Sequence, residues 1–352
     1  MTFFDALSHA GIALLGTLLS LSAHTDTALE HTRVLAERFS VPKAEHTALP
    51  ALLAELDTIV SMQLRMDERY QQAAVLTASS TPAATSPIEE ALVNIHCTAR
   101  IDDALRTTTG SGVLIDPKGV ILTNAHVAQF LLLSDETTRC TVRQGNPAAA
   151  RYVAELLYLS PTWVIENAAQ LHETTPEGTG ERDFALLLIT EGLTEDLPDS
   201  FPALALATPT YTFDATSVRA GGYPAPLEGT TDMNELVPVI ASTSIAHLFT
   251  FNNGRVDLVS IASSDVGRNG ASGGPIVDTD GTVIGLIVTR GNPETDGEQS
   301  LRALTIPYID RTLSVETGLS LAETLAGDLS LRAEVFRETL LPPLRTYLEN
   351  GD

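Results

Sequence analysis

The chain has 352 residues, 43% of them hydrophobic, which is enough to bury a sizeable core and suggests two or three domains. Its 45 Asp and Glu against 21 Lys and Arg give a formal net charge of −24, which repels phosphate backbones and anionic lipid surfaces and argues against nucleic acid as a partner. The same acidity would suit basic substrates, although a solubilising surface is the simpler account of it.

Residues 1–78 read as helical. Phe3, Phe4, Leu7, Ile12, Leu14, Leu15, Leu18, Leu19 and Leu21 form a first apolar stretch. A second follows Pro42 and runs through Leu49, Leu52, Leu53, Leu56, Ile59 and Val60 at helical spacing. Ala10 to Ala23 is uncharged, but its 14 residues fall short of the roughly 20 needed to span a bilayer. The first Lys or Arg is Arg33, so a signal peptide matches poorly as well. Two readings of 1–78 stay open: a membrane or signal segment, and a helical hairpin that packs within the protein or a homo-oligomer. Residues 79–88 are rich in Ser, Thr, Pro and Ala and read as a linker, because such a composition buries too little apolar area to offset its ordering entropy.

From there the chain reads as mainly β. Strands are expected at Leu92–Arg100, Gly112–Ile115, Val120–Asn124, Arg139–Gly145, Arg151–Leu159 and Phe184–Ile189, then at Ser217–Gly221, Val237–Ser244, Val256–Ala262, Gly274–Val277, Val283–Val288 and Arg302–Pro307. Asp116-Pro117-Lys118-Gly119 is a tight turn between the second and third strands, and the third runs out at Thr123-Asn124-Ala125-His126-Val127. A lone histidine is more often a packed core residue. His126 lies at the end of a hairpin instead, where it is available as a base. Asp183 stands directly before the apolar run Phe184 to Ile189, so a buried element holds it, and it is the candidate carboxylate to fix the His126 tautomer. The stretch between Ser160 and Arg182, with Trp163 and His172, reads as an insertion near that site.

The third participant lies in Gly267-Arg268-Asn269-Gly270-Ala271-Ser272-Gly273-Gly274-Pro275. A hydroxyl attacks a carbonyl only beside a base, and the oxyanion it creates needs preorganised donors. Glycines let successive N–H groups turn into one small volume, so the amides of Gly270 and Ser272 are the candidate donors and Ser272 the candidate nucleophile.

Taken together, Thr-Asn-Ala-His-Val, Asp-Phe-Ala-Leu-Leu and Gly-Ala-Ser-Gly-Gly-Pro, in the order His, Asp, Ser, resemble the trypsin-like serine peptidases, and the HtrA-type (Deg) branch in particular. Gly221-Gly222-Tyr223-Pro224 is similar to the element that opens the second barrel there. The resemblance covers about residues 88 to 312. It implies two six-stranded antiparallel β-barrels over 89–312, with a site in the cleft between them. In that site His126 is the general base and acid, Asp183 the orienting carboxylate, Ser272 the nucleophile, and Gly270 and Ser272 the oxyanion hole. It also implies a substrate pocket walled by Val266, Gly267 and Arg268 before the nucleophile and by Val288, Thr289 and Arg290 after it. An apolar floor at Val266 favours a small or medium aliphatic side chain.

The family's topology would set the first and fourth strands side by side, and with them Cys97 and Cys140. A disulfide and a pair of reduced thiols both remain open; the first would agree with an oxidising compartment outside the cytoplasm. The two cysteines lack the spacing of a metal site. Two departures from the family stand out. Ala271 occupies the position where digestive members carry the Asp that pairs with a newly cut N-terminus, so no such activation switch is expected. Residues 313–352 read as helices packed on the second barrel or on the N-terminal helices, broken at Pro342-Pro343, and leave no room for a PDZ domain.

The expectation is thus a serine endopeptidase acting on polypeptides, in protein quality control, with no metal or cofactor. The alternative is a gated or inactive binding module on the same fold.

Overall fold

The computed structural model describes residues 87–101, 104–133, 138–172, 179–213, 217–225, 236–251, 254–262, 264–267, 269–290 and 300–350. The expected helices of 1–78, and with them the candidate membrane segment, lie outside the described residues, as does nearly all of the expected linker 79–88.

Twelve strands close two barrels. The first contains β1 (Leu92–Ile101), β2 (Ala104–Asp116), β3 (Val120–Thr123), β4 (Arg139–Gln144), β5 (Ala149–Leu159) and β6 (Ala185–Gly192), in the order β1-β2-β3-β6-β5-β4. The second contains β7 (Ser217–Gly222), β8 (Val239–Phe249), β9 (Leu258–Ile261), β10 (Pro275–Val277), β11 (Val283–Arg290) and β12 (Leu301–Thr305), in the order β10-β11-β12-β9-β8-β7. The strand pairs within both are antiparallel, and closure leaves no unpaired sheet edge. The mainly β, double-barrel architecture is as expected.

Two strands are longer than their apolar pattern. β2 begins at Ala104 because the polar stretch Arg106-Thr107-Thr108-Thr109, with its three β-branched threonines, pairs residue by residue with β1 from Ala99 down to His96. β8 extends to Phe249 along β9 although most of its residues are only half-buried. β3 stops at Thr123, and a one-turn helix, α2 (Ala125–Ala128), follows it; α1 is the turn Ile88–Ala91 ahead of β1.

The stretch after Ser160 folds as α3 (Pro161–Asn167), capped by the Ser160 hydroxyl accepting from the Trp163 N–H, and continues as a 3-10 turn, Ala168–His172. Then come α4 (Ile306–Thr317), α5 (Leu321–Ala326), α6 (Leu329–Thr339) and α7 (Leu341–Asn350). α4 leaves β12 directly, with the Thr305 side chain as its cap and Pro307 in its first turn, where a missing N–H costs nothing. Gly318, at φ 74°, ends it.

The expected packing of these helices on the second barrel holds only for α4, which lies against β11 and β12. α6 covers β5 and β6 of the first barrel, and α7 lies on α3 and the turn after it. This explains why β6 is apolar without alternation: one face lines the barrel and the other is roofed by α6, so Leu186, Leu187, Leu188 and Ile189 are all buried. Polar clasps hold the strap: Arg337 to Glu155 at 2.8 Å, Arg345 Nε to the Leu132 carbonyl at 2.6 Å, and Lys118 Nζ to the Leu325 carbonyl at 2.6 Å. Pro342 and Pro343 do not interrupt a helix; they sit in the first turn of a new one.

Cys97 and Cys140 stand directly opposite each other on β1 and β4 and are joined as a disulfide. Among the described residues no helix is long and apolar enough to cross a membrane.

Candidate active site

His126 is not on β3 but in the single turn of α2 that β3 delivers to the barrel rim. Two bonds fix it against Asp183. Its Nδ1 lies 2.7 Å from Asp183 Oδ2, and its backbone N–H donates to Oδ1 at 2.9 Å. One carboxylate thus satisfies an orphan donor at the start of α2 and the ring of the residue that carries it. The Asn124 amide donates to the Asp183 carbonyl at 2.8 Å, and Gln129 Nε2 to the His126 carbonyl at 2.9 Å. The Asp183 side chain is 8% exposed and that of His126 36%. Burial alone would lower the imidazole pKa, but the charge of Asp183 and its hydrogen bond outweigh this, and the net shift is upward from 6.5.

Asp183 is held in a tight loop. Its N–H donates to the Gly180 carbonyl at 3.2 Å, and the Phe184 N–H reaches back to the Arg182 carbonyl at 2.8 Å. Arg182 adopts φ 57°.

The Ser272 loop is built across the gap between the barrels. Gly270 and Gly273 take φ 91° and 87°, values open to glycine. The Ala225 N–H donates to the Asn269 carbonyl at 2.6 Å, and the Gly274 N–H to the Ala271 carbonyl at 2.9 Å. In a trans peptide the N–H points opposite to its carbonyl. These two bonds therefore turn the Gly270 and Ser272 N–H groups to the other side of the loop, and among the described residues neither finds a backbone acceptor. With Asp183 on Nδ1, the other ring nitrogen of His126 is left for a second partner. Among the described residues no hydrogen bond joins it to Ser272.

The model of the trypsin-like peptidase domain matches residues 110–286, from within β2 to the middle of β11. The chain belongs to this family. A comparison with curated proteins gives no match. The matched span of the trypsin-like peptidase domain contains His126, Asp183 and Ser272, while β1, β12 and the C-terminal helices lie outside it.

Within this trypsin-like frame the expected pocket residues separate. Val266 is fully buried, 3.4 Å from where a Cβ on Gly222 would stand, and Ala271 is buried beside the same glycine. Val288 is buried at a bulge in β11, against Gly180 of the Asp183 loop, and Thr289 is half-buried. Arg268 lies outside the described residues, as do the side chains of Arg290 and His172.

One residue of the site escapes a reading of sequence. Ser111, fully buried on β2, accepts the Tyr223 N–H at 2.8 Å and donates its hydroxyl to the Gly270 carbonyl at 2.6 Å. Its own carbonyl accepts from Thr123 Oγ1 at 2.8 Å. A signal existed in the small-residue triplet Gly110-Ser111-Gly112, whose flanking glycines lie against Val127 and against Ile121, Val93 and Ile95. Such a triplet marks a close approach of backbones without saying to what.

Proposed function

We propose that the chain is a serine endopeptidase of the HtrA-type (Deg) branch, working through His126, Asp183 and Ser272. The observation that carries this reading is the two-point grip of Asp183 on His126, at 2.7 and 2.9 Å, taken with a serine loop whose Gly270 and Ser272 amides find no backbone acceptor among the described residues. Ser272 Oγ attacks the scissile carbonyl while His126 Nε2 takes its proton. Asp183 accepts the Nδ1 proton's hydrogen bond and stabilises the imidazolium, and the Gly270 and Ser272 amides receive the oxyanion. The imidazolium then gives its proton to the leaving amine. Water, activated by the neutral imidazole, hydrolyses the acyl-enzyme and returns the hydroxyl to Ser272. Each step is a proton or acyl transfer among these groups and water, and calls on no metal or cofactor.

Apolar Val266 and Val288 support an aliphatic side chain at the cleaved residue, and unfolded polypeptides are the substrate class we assign. The Cys97–Cys140 disulfide supports an oxidising, extracytoplasmic compartment. Buried Ala271 offers no carboxylate to a new N-terminus, so activity is expected without processing.

Covalent labelling with a fluorophosphonate probe tests the reading, with Ser272→Ala and His126→Ala as controls. Labelling lost in both variants supports it. A folded wild-type chain that never labels supports the second reading, a gated binding module.

A further inference from the structure

Arg182 immediately precedes Asp183 and is, among the described residues, the only one other than glycine at positive φ. A side-chain-bearing residue stays in that conformation only when its surroundings impose it. Here they come from α4. The Arg182 N–H donates to the Tyr308 hydroxyl at 3.1 Å, and its Nε lies 3.4 Å from Glu316 Oε1; both partners are on α4. Glu181 at 3.2 Å and Glu166 at 3.9 Å complete the guanidinium's acidic surroundings.

Glu316 is 6% exposed, and no step proposed for Ser272 uses it. It accepts the Tyr158 hydroxyl at 2.6 Å, from β5, and the Ser160 hydroxyl at 3.0 Å, from the cap of α3. The Tyr158 ring in turn stacks on Phe184, centroids 5.4 Å apart and planes within 25°. Both chain neighbours of Asp183 are therefore tied to one buried carboxylate: Arg182 directly, Phe184 through Tyr158. Burial pushes the Glu316 carboxyl up, and Glu166 adds to this, while the Tyr158 and Ser160 hydrogen bonds and the Arg182 charge pull it down. Among the described residues these groups face it from α3, β5 and the Asp183 loop.

We propose that Glu316 and Tyr308 are positioning residues, through which α4, emerging from the second barrel, sets the Asp183 carboxylate against His126 on the first. They touch neither substrate nor the reacting atoms. The proposal rests on the reading of His126, Asp183 and Ser272 as a peptidase site, because it assigns the consequence of misplacing Asp183 to turnover. Its geometric part concerns only the His126–Asp183 pair.

The test compares the full-length wild type with Glu316→Gln and Tyr308→Phe by two readouts. The first is the downfield proton resonance of the His126 Nδ1–H, assigned as the one absent from His126→Gln. The second is turnover of fluorescein-labelled unfolded casein. Expected in Glu316→Gln are a cooperative melt, a weakened or upfield-shifted resonance, and a kcat about tenfold lower with KM within about twofold, the signature of a misplaced group rather than lost binding. Tyr308→Phe, which removes a single hydroxyl, is expected to move both readouts in the same direction, and carries the test alone should Glu316→Gln fail to fold. An unchanged resonance with unchanged kcat in a folded variant overturns the proposal. A resonance that moves in a chain whose wild type neither labels nor cleaves overturns the peptidase reading and leaves the positioning claim standing.

Discussion

Ser111, on the first barrel, donates its backbone N–H to the carbonyl of Ser272, on the second, at 2.7 Å. The residue proposed as nucleophile is thus hydrogen-bonded to the barrel that carries His126, and the same Ser111 binds the Gly270 carbonyl through its hydroxyl. Ser111 is thus one of the residues that set the register between the two halves of the site.

Ser111→Ala is expected to leave the Tyr223 N–H and the Gly270 carbonyl buried without their partner, at a cost of about 1–3 kcal/mol. It also frees the carbonyl end of Gly270, so fluorophosphonate labelling is expected to slow by roughly tenfold or more. A thermal melt and a labelling time course check both. A lower melting point with labelling at the wild-type rate would confine Ser111 to the fold.

The raised pKa of His126 sets the pH dependence. Its base form is lost as pH falls through the raised value, so the acid limb of kcat/KM is expected to have its midpoint above 6.5. In Asp183→Asn the charge that raises the pKa is gone while burial remains. The midpoint should therefore drop, and the plateau should fall by about 10⁴-fold as the tautomer is lost. For stability the sign is fixed too. A group with a raised folded-state pKa stabilises fully below its unfolded value, near 6.5, and that contribution disappears as pH rises through the folded value. Labelling rates and melting points across pH 5 to 9 measure both effects; a midpoint below 6.5 in the wild type would contradict the pairing.

Gly273 and Gly254 separate two kinds of glycine. Both have positive φ, 87° and 69°. A Cβ on Gly273 would collide with the Ser111 carbonyl and lie 2.6 Å from Thr123 Oγ1, whereas on Gly254 it would meet nothing within 4 Å. Gly254→Ala is expected to cost about 1 kcal/mol of backbone strain. Gly273→Ala has to push the barrels apart, and is expected to lower the melting point several times more and to abolish labelling. Equal melting points for the two would refute the close approach at Ser111.

Much of this was legible in sequence because it is local. The alternation of β-branched residues gave most strands, and three short motifs gave His126, Asp183 and Ser272, since a turn, a glycine pair or an acid before an apolar run is written in neighbouring residues. What was not legible is what distant segments do to each other. The unbroken apolar run of β6 shows that both its faces are buried but not that α6 covers one of them. Nothing near Glu316 points to Tyr158, 158 residues away, and nothing near Ser111 points to Gly270, 159 residues away. Arg182 gave no sign at all, because a left-handed arginine is imposed by its partners rather than by its own preference.

The disulfide offers the last prediction. Cys97 and Cys140 are opposed in the β1–β4 ladder, which also pairs Asn94, Ile95, His96 and Thr98, so the strands stay aligned without it. What the bond adds is closure of a loop across a sequence separation of 43, worth about 2–4 kcal/mol by restricting the unfolded chain. The double variant Cys97→Ala/Cys140→Ala is therefore expected to keep fluorophosphonate labelling at the wild-type rate while its urea midpoint falls by an amount matching that energy. Alkylation of the denatured, unreduced protein, followed by mass spectrometry, is expected to modify neither cysteine. Should both thiols alkylate without reductant in protein isolated from its native compartment, the bond is absent there, and the extracytoplasmic placement loses the observation that supports it.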